Sequence, residues 1–180
     1  MIRWEIYSSD AGRKSGKKVY FLPMENKQDS PGVYIPPPLF YVAIFFAAAF
    51  IQKKVPVDDT IFHTPIMKAA GVLLLVIAPW FLVSSLRMFL KSKNTLVPIK
   101  PATSLQTTGI YRISRNPMYT GLAIVYLGIS CLLGNWWHFI LFPLLLFILY
   151  AYVIVPEEKY LTRRFGQSYL DYRLKVRRWL

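Results

Sequence analysis

Four apolar blocks joined by short polar connections set the pattern of this chain. The first runs from Tyr34 to Ile51 and opens on Pro36-Pro-Pro38, where a helix start tolerates proline. The stretch after Pro38 is shorter than the roughly 20 residues a bilayer core requires, so a short or tilted first span is expected. The second block, Ile66 to Leu90, is interrupted by Lys68, Pro79 and Arg87. The two cations lie near its ends and can snorkel, while Pro79 is expected to kink the helix without ending it. Met118 to Leu133 is the third block and Trp136 to Val155 the fourth. Only Gly134-Asn135 separates these two, which predicts a tight helical hairpin over 118–155.

The flanking segments are polar. Residues 1–32 carry Arg13-Lys-Ser-Gly-Lys-Lys18 and Glu25-Asn-Lys-Gln-Asp29, and read as a polar, partly disordered extension before a single membrane-embedded domain at 33–180. Residues 1–30 also lack the apolar centre of a cleavable signal peptide. After Val155 the chain turns charged and aromatic. Tyr160, Leu161, Arg164 and Phe165 have the spacing of an amphipathic helix ending near Gly166. The predicted class is all-α: a polytopic membrane bundle of about four transmembrane helices with a C-terminal amphipathic helix on the cytoplasmic face.

Composition narrows this picture. The chain is 54% hydrophobic with mean hydropathy +0.35, too apolar for an ordinary soluble domain of 180 residues. Its net charge of +13 would suggest nucleic acid in a soluble protein. Here the cations sit in connections beside apolar runs, which favours anionic headgroups and the positive-inside rule, with no nucleic-acid partner. The 91–116 connection is net +5 and the tail from 157 net +4, against +1 for 52–68. Four spans therefore put both termini and the 91–116 loop on the cytoplasmic side, an arrangement suited to a bacterial inner membrane. The single cysteine, Cys131, excludes an internal disulfide and reads as a buried small hydrophobe. Trp136, Trp137 and His138 have the position of an aromatic belt, with His63 in the opposite loop, and no metal is expected.

The candidate chemistry lies in Thr107-Thr-Gly-Ile-Tyr-Arg-Ile-Ser-Arg-Asn-Pro-Met-Tyr-Thr-Gly121, with Glu157 and Glu158 returned to the same side by the hairpin. Arginine clamps carboxylates bidentately, glutamate accepts from amines or hydroxyls, and tyrosine faces suit a ring or a sulfonium. Gly109 and Gly121 allow close backbone approach. The same residues also suit plainer roles: the arginines and tyrosines as boundary anchors, and Asn116 as the N-cap of a helix starting at Pro117. Arg163 or Arg164 stands at helical spacing to partner the two glutamates.

The run from Pro101 to Gly121, the Glu157-Glu158 pair and Phe165-Gly-Gln-Ser-Tyr-Leu-Asp-Tyr172 together resemble the isoprenylcysteine carboxyl methyltransferase family. That family belongs to a wider group with the phospholipid methyltransferases, and this chain resembles its prokaryotic members. The resemblance covers roughly residues 70–178. It implies an integral membrane methyltransferase that uses S-adenosyl-L-methionine on a lipophilic acceptor at the cytoplasmic face: an isoprenylcysteine-like carboxylate, a thiol or a lipid amine. It further implies a small-molecule or lipidated substrate, membrane lipid as a partner, and cofactor contacts at Thr103, Ser104, Leu105, Gln106, Tyr111, Asn116, Pro117, Met118, Tyr119 and Glu157. Arg112, Arg115 and Tyr119 are the catalytic candidates, as groups that orient the acceptor. Asn116 stands where eukaryotic members have His, and the family's substrate-binding arginine falls on Val153. Two other readings are a membrane reductase similar to the sterol reductases, and a non-catalytic protein whose basic loops bind anionic lipid.

Overall fold

The computed structural model describes the backbone of residues 4–8 and 19–23, and residues 30–91 and 104–180 in full. Strands β1 (Trp4–Ser8) and β2 (Val19–Pro23) pair antiparallel, Trp4 opposite Pro23 and Ser8 opposite Val19. They lie within the polar, partly disordered extension expected at residues 1–32. Both stretches are rich in aromatic and β-branched residues, which favour a pleated ribbon.

The remaining elements are helical. They are α1 (Pro37–Lys54), α2 (Pro65–Lys91), α3 (Pro117–Leu133), α4 (Trp136–Leu149), α5 (Val155–Phe165) and α6 (Gln167–Lys175). A π-helical turn at Tyr150–Ile154 joins α4 to α5, so the rod runs without a break from Trp136 to Phe165. The tail helix expected after Val155 is thus the end of the fourth apolar segment, and Gly166, at φ 53°, is where the chain leaves it. Proline opens α1 and α3 at a position that has no helical donor to lose, and α2 runs unbroken through Pro79.

Among the described residues, two helices are long and apolar enough to cross a membrane: Pro65–Lys91, with mean hydropathy 2.2, and Trp136–Phe165, with 2.5. α3 is a shorter apolar helix. Only 17% and 22% of the two apolar stretches are buried, whereas the core helix of a soluble protein is mostly buried. Their large side chains, Val72, Leu73, Val76, Trp80 and Phe147 among them, face outward.

Lipid tails are as apolar as leucine, so close packing and internal hydrogen bonds must hold such helices together. α2 and α3 supply the packing through glycine. A Cβ on Gly71 would stand 2.9 Å from the Gly128 carbonyl oxygen, and one on Gly121 would stand 2.8 Å from Leu82. The close approach expected of Gly121 is therefore to a neighbouring helix. α1 lies along α4, and a hydrogen bond at each end of α1 ties it to a neighbour, α3 at one end and α4 at the other. Tyr41 donates to the Tyr119 carbonyl (2.8 Å) at one end, and Trp137 Nε1 donates to the Val55 carbonyl (2.8 Å) at the other.

The α3–α4 turn is as tight as the spacing implies. Gly134 adopts φ 67°, and Asn135 caps α4 by accepting from Trp137 N at 2.8 Å. His138, however, is not a belt residue. It is 1% exposed, stacks on Phe45 with ring centroids 4.2 Å apart, and lies 3.2 Å from the Phe45 carbonyl. Its place on the inner face of α4 decides this.

A side chain on Gly71 meets backbone that cannot yield. Gly71→Val is expected to cost about 1–3 kcal/mol, read as a lower melting temperature in detergent. Val76→Ala, on the outward face of the same helix, should stay within about 0.5 kcal/mol of the parent.

Candidate active site

The N-termini of α1 and α3, the C-terminus of α2 and the α5–α6 region meet at one end of the bundle, where the polar loop also lies. The loop enters through a 3₁₀ turn at Gly109–Arg112. Gly109 has φ 58°, and a Cβ there would stand 2.8 Å from the Met88 sulfur, so glycine fits both the turn and the packing. The turn buries Tyr111, whose carbonyl accepts from the Tyr172 hydroxyl at 2.6 Å. Leu105 packs on the same cluster, with Tyr169 and Phe81. Burial, reinforced by Tyr172 and Glu157, pushes the Tyr111 phenol well above the ordinary tyrosine range.

Beyond the turn, the loop is knitted to the end of the chain. Arg115 N donates to the Arg177 carbonyl (3.0 Å), and Asn116 Nδ2 (3.0 Å) and the Ser114 hydroxyl (3.3 Å) both donate to the Arg178 carbonyl. Asn116 occupies the N-cap position of α3, but its side chain makes no cap hydrogen bond. It is a strut to the C-terminal segment.

The two adjacent carboxylates face different partners. Glu157 Oε1 accepts from the Tyr119 hydroxyl at 2.7 Å. Glu158 Oε1 accepts from Arg115 Nη1 (3.0 Å) and Arg178 Nε (2.8 Å), and its Oε2 accepts from Arg178 Nη2 (2.9 Å). Arg178 therefore grips Glu158 bidentately, the strong form of this pair. That hydrogen bond also holds the Arg178 guanidinium above its usual pKa. The partners of Glu158 come from distant segments, and Arg163, at helical spacing, is not one of them. The reason is orientation: five residues apart, the two side chains stand about 140° apart around the axis of α5.

Two groups here have spare hydrogen-bonding capacity. Arg115 Nε is a buried donor with no acceptor, and Glu157 Oε2 accepts no hydrogen bond among the described residues. An orphaned buried donor costs about 1–3 kcal/mol unless something satisfies it. A donor, an acceptor carboxylate and the Tyr111 and Tyr119 rings together fit a zwitterionic ligand that carries an aromatic base.

The expected site residues are thus placed unevenly. Arg115, Asn116, Tyr119 and Glu157 belong to one hydrogen-bonded region, with Pro117 opening its helix and Met118 partly buried beside it. Leu105 and Tyr111 share the neighbouring aromatic cluster, while the Gln106 amide donates to the Ser104 hydroxyl (2.9 Å). Arg112 is exposed and makes no hydrogen bond or ion pair among the described residues, and Thr103 lies outside them. Val153 is fully buried in the apolar core with Tyr41 and Tyr119. Reading by sequence missed Arg178, Tyr169 and Tyr41. Tyr169 and Tyr172 had a signal, because their i, i+3 spacing puts both on one helix face. Arg178 had none.

The comparisons bear on this region directly. The family model described as phospholipid methyltransferase matches residues 66–168, from the start of α2 to the start of α6. The chain belongs to that family. Curated relatives point the same way. A protein-S-isoprenylcysteine O-methyltransferase of Schizosaccharomyces pombe is 46% identical over 72 residues, 40% of this chain and 30% of that protein. Protein-S-isoprenylcysteine O-methyltransferase B of Arabidopsis thaliana is 36% identical over 72 residues, 40% of this chain and 36% of that protein. An uncharacterized protein of Haemophilus influenzae is 39% identical over 66 residues, 35% of this chain and all of that one. The matches thus span about a third of the length of the two named enzymes. No solved structure gives a significant match.

The grip of Arg178 on Glu158 generates a prediction for this family member. Arg178→Ala strands Glu158 and Arg115 and should cost about 1.5–3 kcal/mol. Arg178→Lys, which keeps the charge but loses the fork, should fall between. Thermal unfolding in detergent gives the stability, and protease cleavage within 104–116 reports the loop.

Proposed function

We propose that this protein transfers a methyl group from S-adenosyl-L-methionine to a lipophilic acceptor at the cytoplasmic face of a membrane that it crosses four times. The observation that carries the reading is the family match over residues 66–168, which takes in the polar loop and both glutamates. The unsatisfied Arg115 Nε and Glu157 Oε2 support it, as groups of opposite character beside buried tyrosines. The named relatives are methyltransferases for isoprenylcysteine proteins, which favours a prenylated or similarly lipophilic acceptor.

When bound, the cofactor supplies an electrophilic methyl group on a sulfonium. The work of the chain is then to position, and to exclude water. Arg115 Nε is suited to a carboxylate, and Glu157 Oε2 to hydroxyls or an amine. Tyr119 holds Glu157 through its hydroxyl, so the carboxylate points in a fixed direction. Tyr111 offers a buried ring anchored through its own backbone to Tyr172. In-line transfer depends on such alignment more than on a strong base, since holding the reacting groups in register supplies much of the barrier reduction. Arg115 and Tyr119 are the positioning groups. Arg112, exposed on the loop, is left for the acceptor or a headgroup. Val153 is enclosed in the core and presents no charge, so a carboxylate acceptor would have to be held by other residues.

For the four-span arrangement, α1 and α3 join the two longer segments. The tail and the loop share one end of the bundle, and the Phe62 loop and Gly134-Asn135 share the other: the Phe62 ring lies 5.1 Å from that of Trp136.

Two measurements test this. Isothermal titration of the solubilised protein should show S-adenosyl-L-methionine binding that weakens at least about tenfold in Glu157→Gln; no binding to the parent, or equal binding to both, overturns the proposal. Radiolabelled methyl donor given to membranes should label a lipid or lipidated fraction only when the protein is present. Topology is checked separately. In a Cys131→Ser background, Arg112→Cys and Asp58→Cys should react with an impermeant thiol reagent from opposite sides of the membrane.

A further inference from the structure

The far side of α5 carries a second feature, which the methyl-transfer reading does not use. A cavity of about 500 Å³ lies between α5, α6 and the C-terminal segment, lined by Tyr150, Val155, Lys159, Arg163, Arg173 and Arg178 together with Glu158 and Thr162. At about 100° per residue, Lys159 and Arg163 lie on the face of α5 opposite Glu157, so this cavity is separate from the Tyr119–Glu157 pair.

Its charge is unbalanced. Glu158 is the one acid in the lining, and both its oxygens are already engaged by Arg115 and Arg178. Lys159, Arg163 and Arg173 are exposed and make no hydrogen bond or ion pair among the described residues, and of the three only Arg173 adds to the positive field at Glu158. Lys159 and Arg163 are four residues apart on one helix face, a like-charge spacing that destabilises a helix unless an anion lies between. The hydroxyl of Thr162 donates to the Glu158 carbonyl, so it does not neutralise them. The opposite wall is apolar and continuous with the outward face of the span. Tyr150 is 40% exposed and stacks under Arg178 at 5.1 Å, with Phe147, 64% exposed, one turn earlier.

We propose that this groove binds a phosphate group, with Lys159, Arg163 and Arg173 as its cationic ligands, and that the phosphate is that of an anionic phospholipid whose chains lie along the Tyr150–Phe147 face. Cations at the end of an apolar span meet headgroups at that depth, and each contributes to holding an anionic one. The site is an anchor for lipid and does not depend on the methyl-transfer reading.

Native mass spectrometry of the full chain in neutral detergent tests it, with dioleoylphosphatidylglycerol, dioleoylphosphatidylcholine and inorganic phosphate as probes. The parent should retain phosphatidylglycerol at concentrations about tenfold below those needed for phosphatidylcholine. Lys159→Gln/Arg163→Gln should abolish that preference at unchanged melting temperature, and Arg173→Gln should reduce it. Lys53→Gln/Lys54→Gln, at the end of α1, should keep it. A preference that survives added phosphate supports the headgroup together with its chains as the ligand, and one that phosphate erases supports recognition of the phosphate alone. Equal retention of the two lipids without phosphate binding overturns the site, as does an undiminished preference in the Lys159/Arg163 variant. Cofactor titration of the same variants separates this outcome from failure of the enzymatic reading.

Discussion

Glu158 is a carboxylate with little exposure, and its position depends on two arginines that are remote from each other in sequence. Its side chain is 12% exposed and that of Arg115 is 9% exposed. Arg178 closes the set from the C-terminal segment. A charge so enclosed must be paired, and removal of either arginine leaves the others uncompensated. Three segments that are remote in sequence are thereby held together: the loop before α3, the first turn of α5, and the residues after α6. The loop then gains its backbone hydrogen bonds to Arg177 and Arg178, and Asn116 takes the orientation it has.

The neighbouring carboxylate depends on this arrangement. Glu157 and Glu158 are adjacent, so fixing one on its arginines fixes the direction of the other, which meets Tyr119 at the start of α3. Tyr119 is itself tied through its carbonyl to Tyr41 on α1. The π turn at Tyr150–Ile154 belongs to the same geometry. One extra residue in the turn rotates everything beyond it, so that Val153 and Ile154 point into the core while Glu157 and Glu158 meet α3 and the loop. α5 therefore presents two chemically different faces, one toward the polar loop and one toward the groove with Lys159 and Arg163.

Membrane-type packing explains why the scaffold is so economical. Outward faces are apolar, and contact between α2 and α3 rests on Gly71, Gly121 and Gly128 in place of large side chains. Buried hydroxyls are satisfied within their own helices, as Ser85 is by Phe81 and Ser130 by Tyr126, each at 2.6 Å. Polar bonds between helices come from a few side chains, Tyr41, Tyr126 and His138 among them, each reaching a backbone carbonyl of a neighbouring helix.

The sequence by itself determined the apolar segments, the tight turn at Gly134-Asn135, the helix start at Pro117 and the family, because hydrophobic run length, glycine and proline geometry and a multi-part motif are local properties. It also singled out the loop and Glu157 as the candidate site. Tertiary structure decided what those groups touch. Asn116 became a strut and not a cap, His138 went inward, and the acids found Arg115, Arg178 and Tyr119 while Arg163 stayed exposed. None of this is local. Which face of a helix a side chain occupies after a π turn, and which backbone carbonyl a returning tail offers, are fixed only when all segments are packed at once. Arg178 is the clearest case, a single arginine among several in a basic tail, singled out only by the buried carboxylate it reaches.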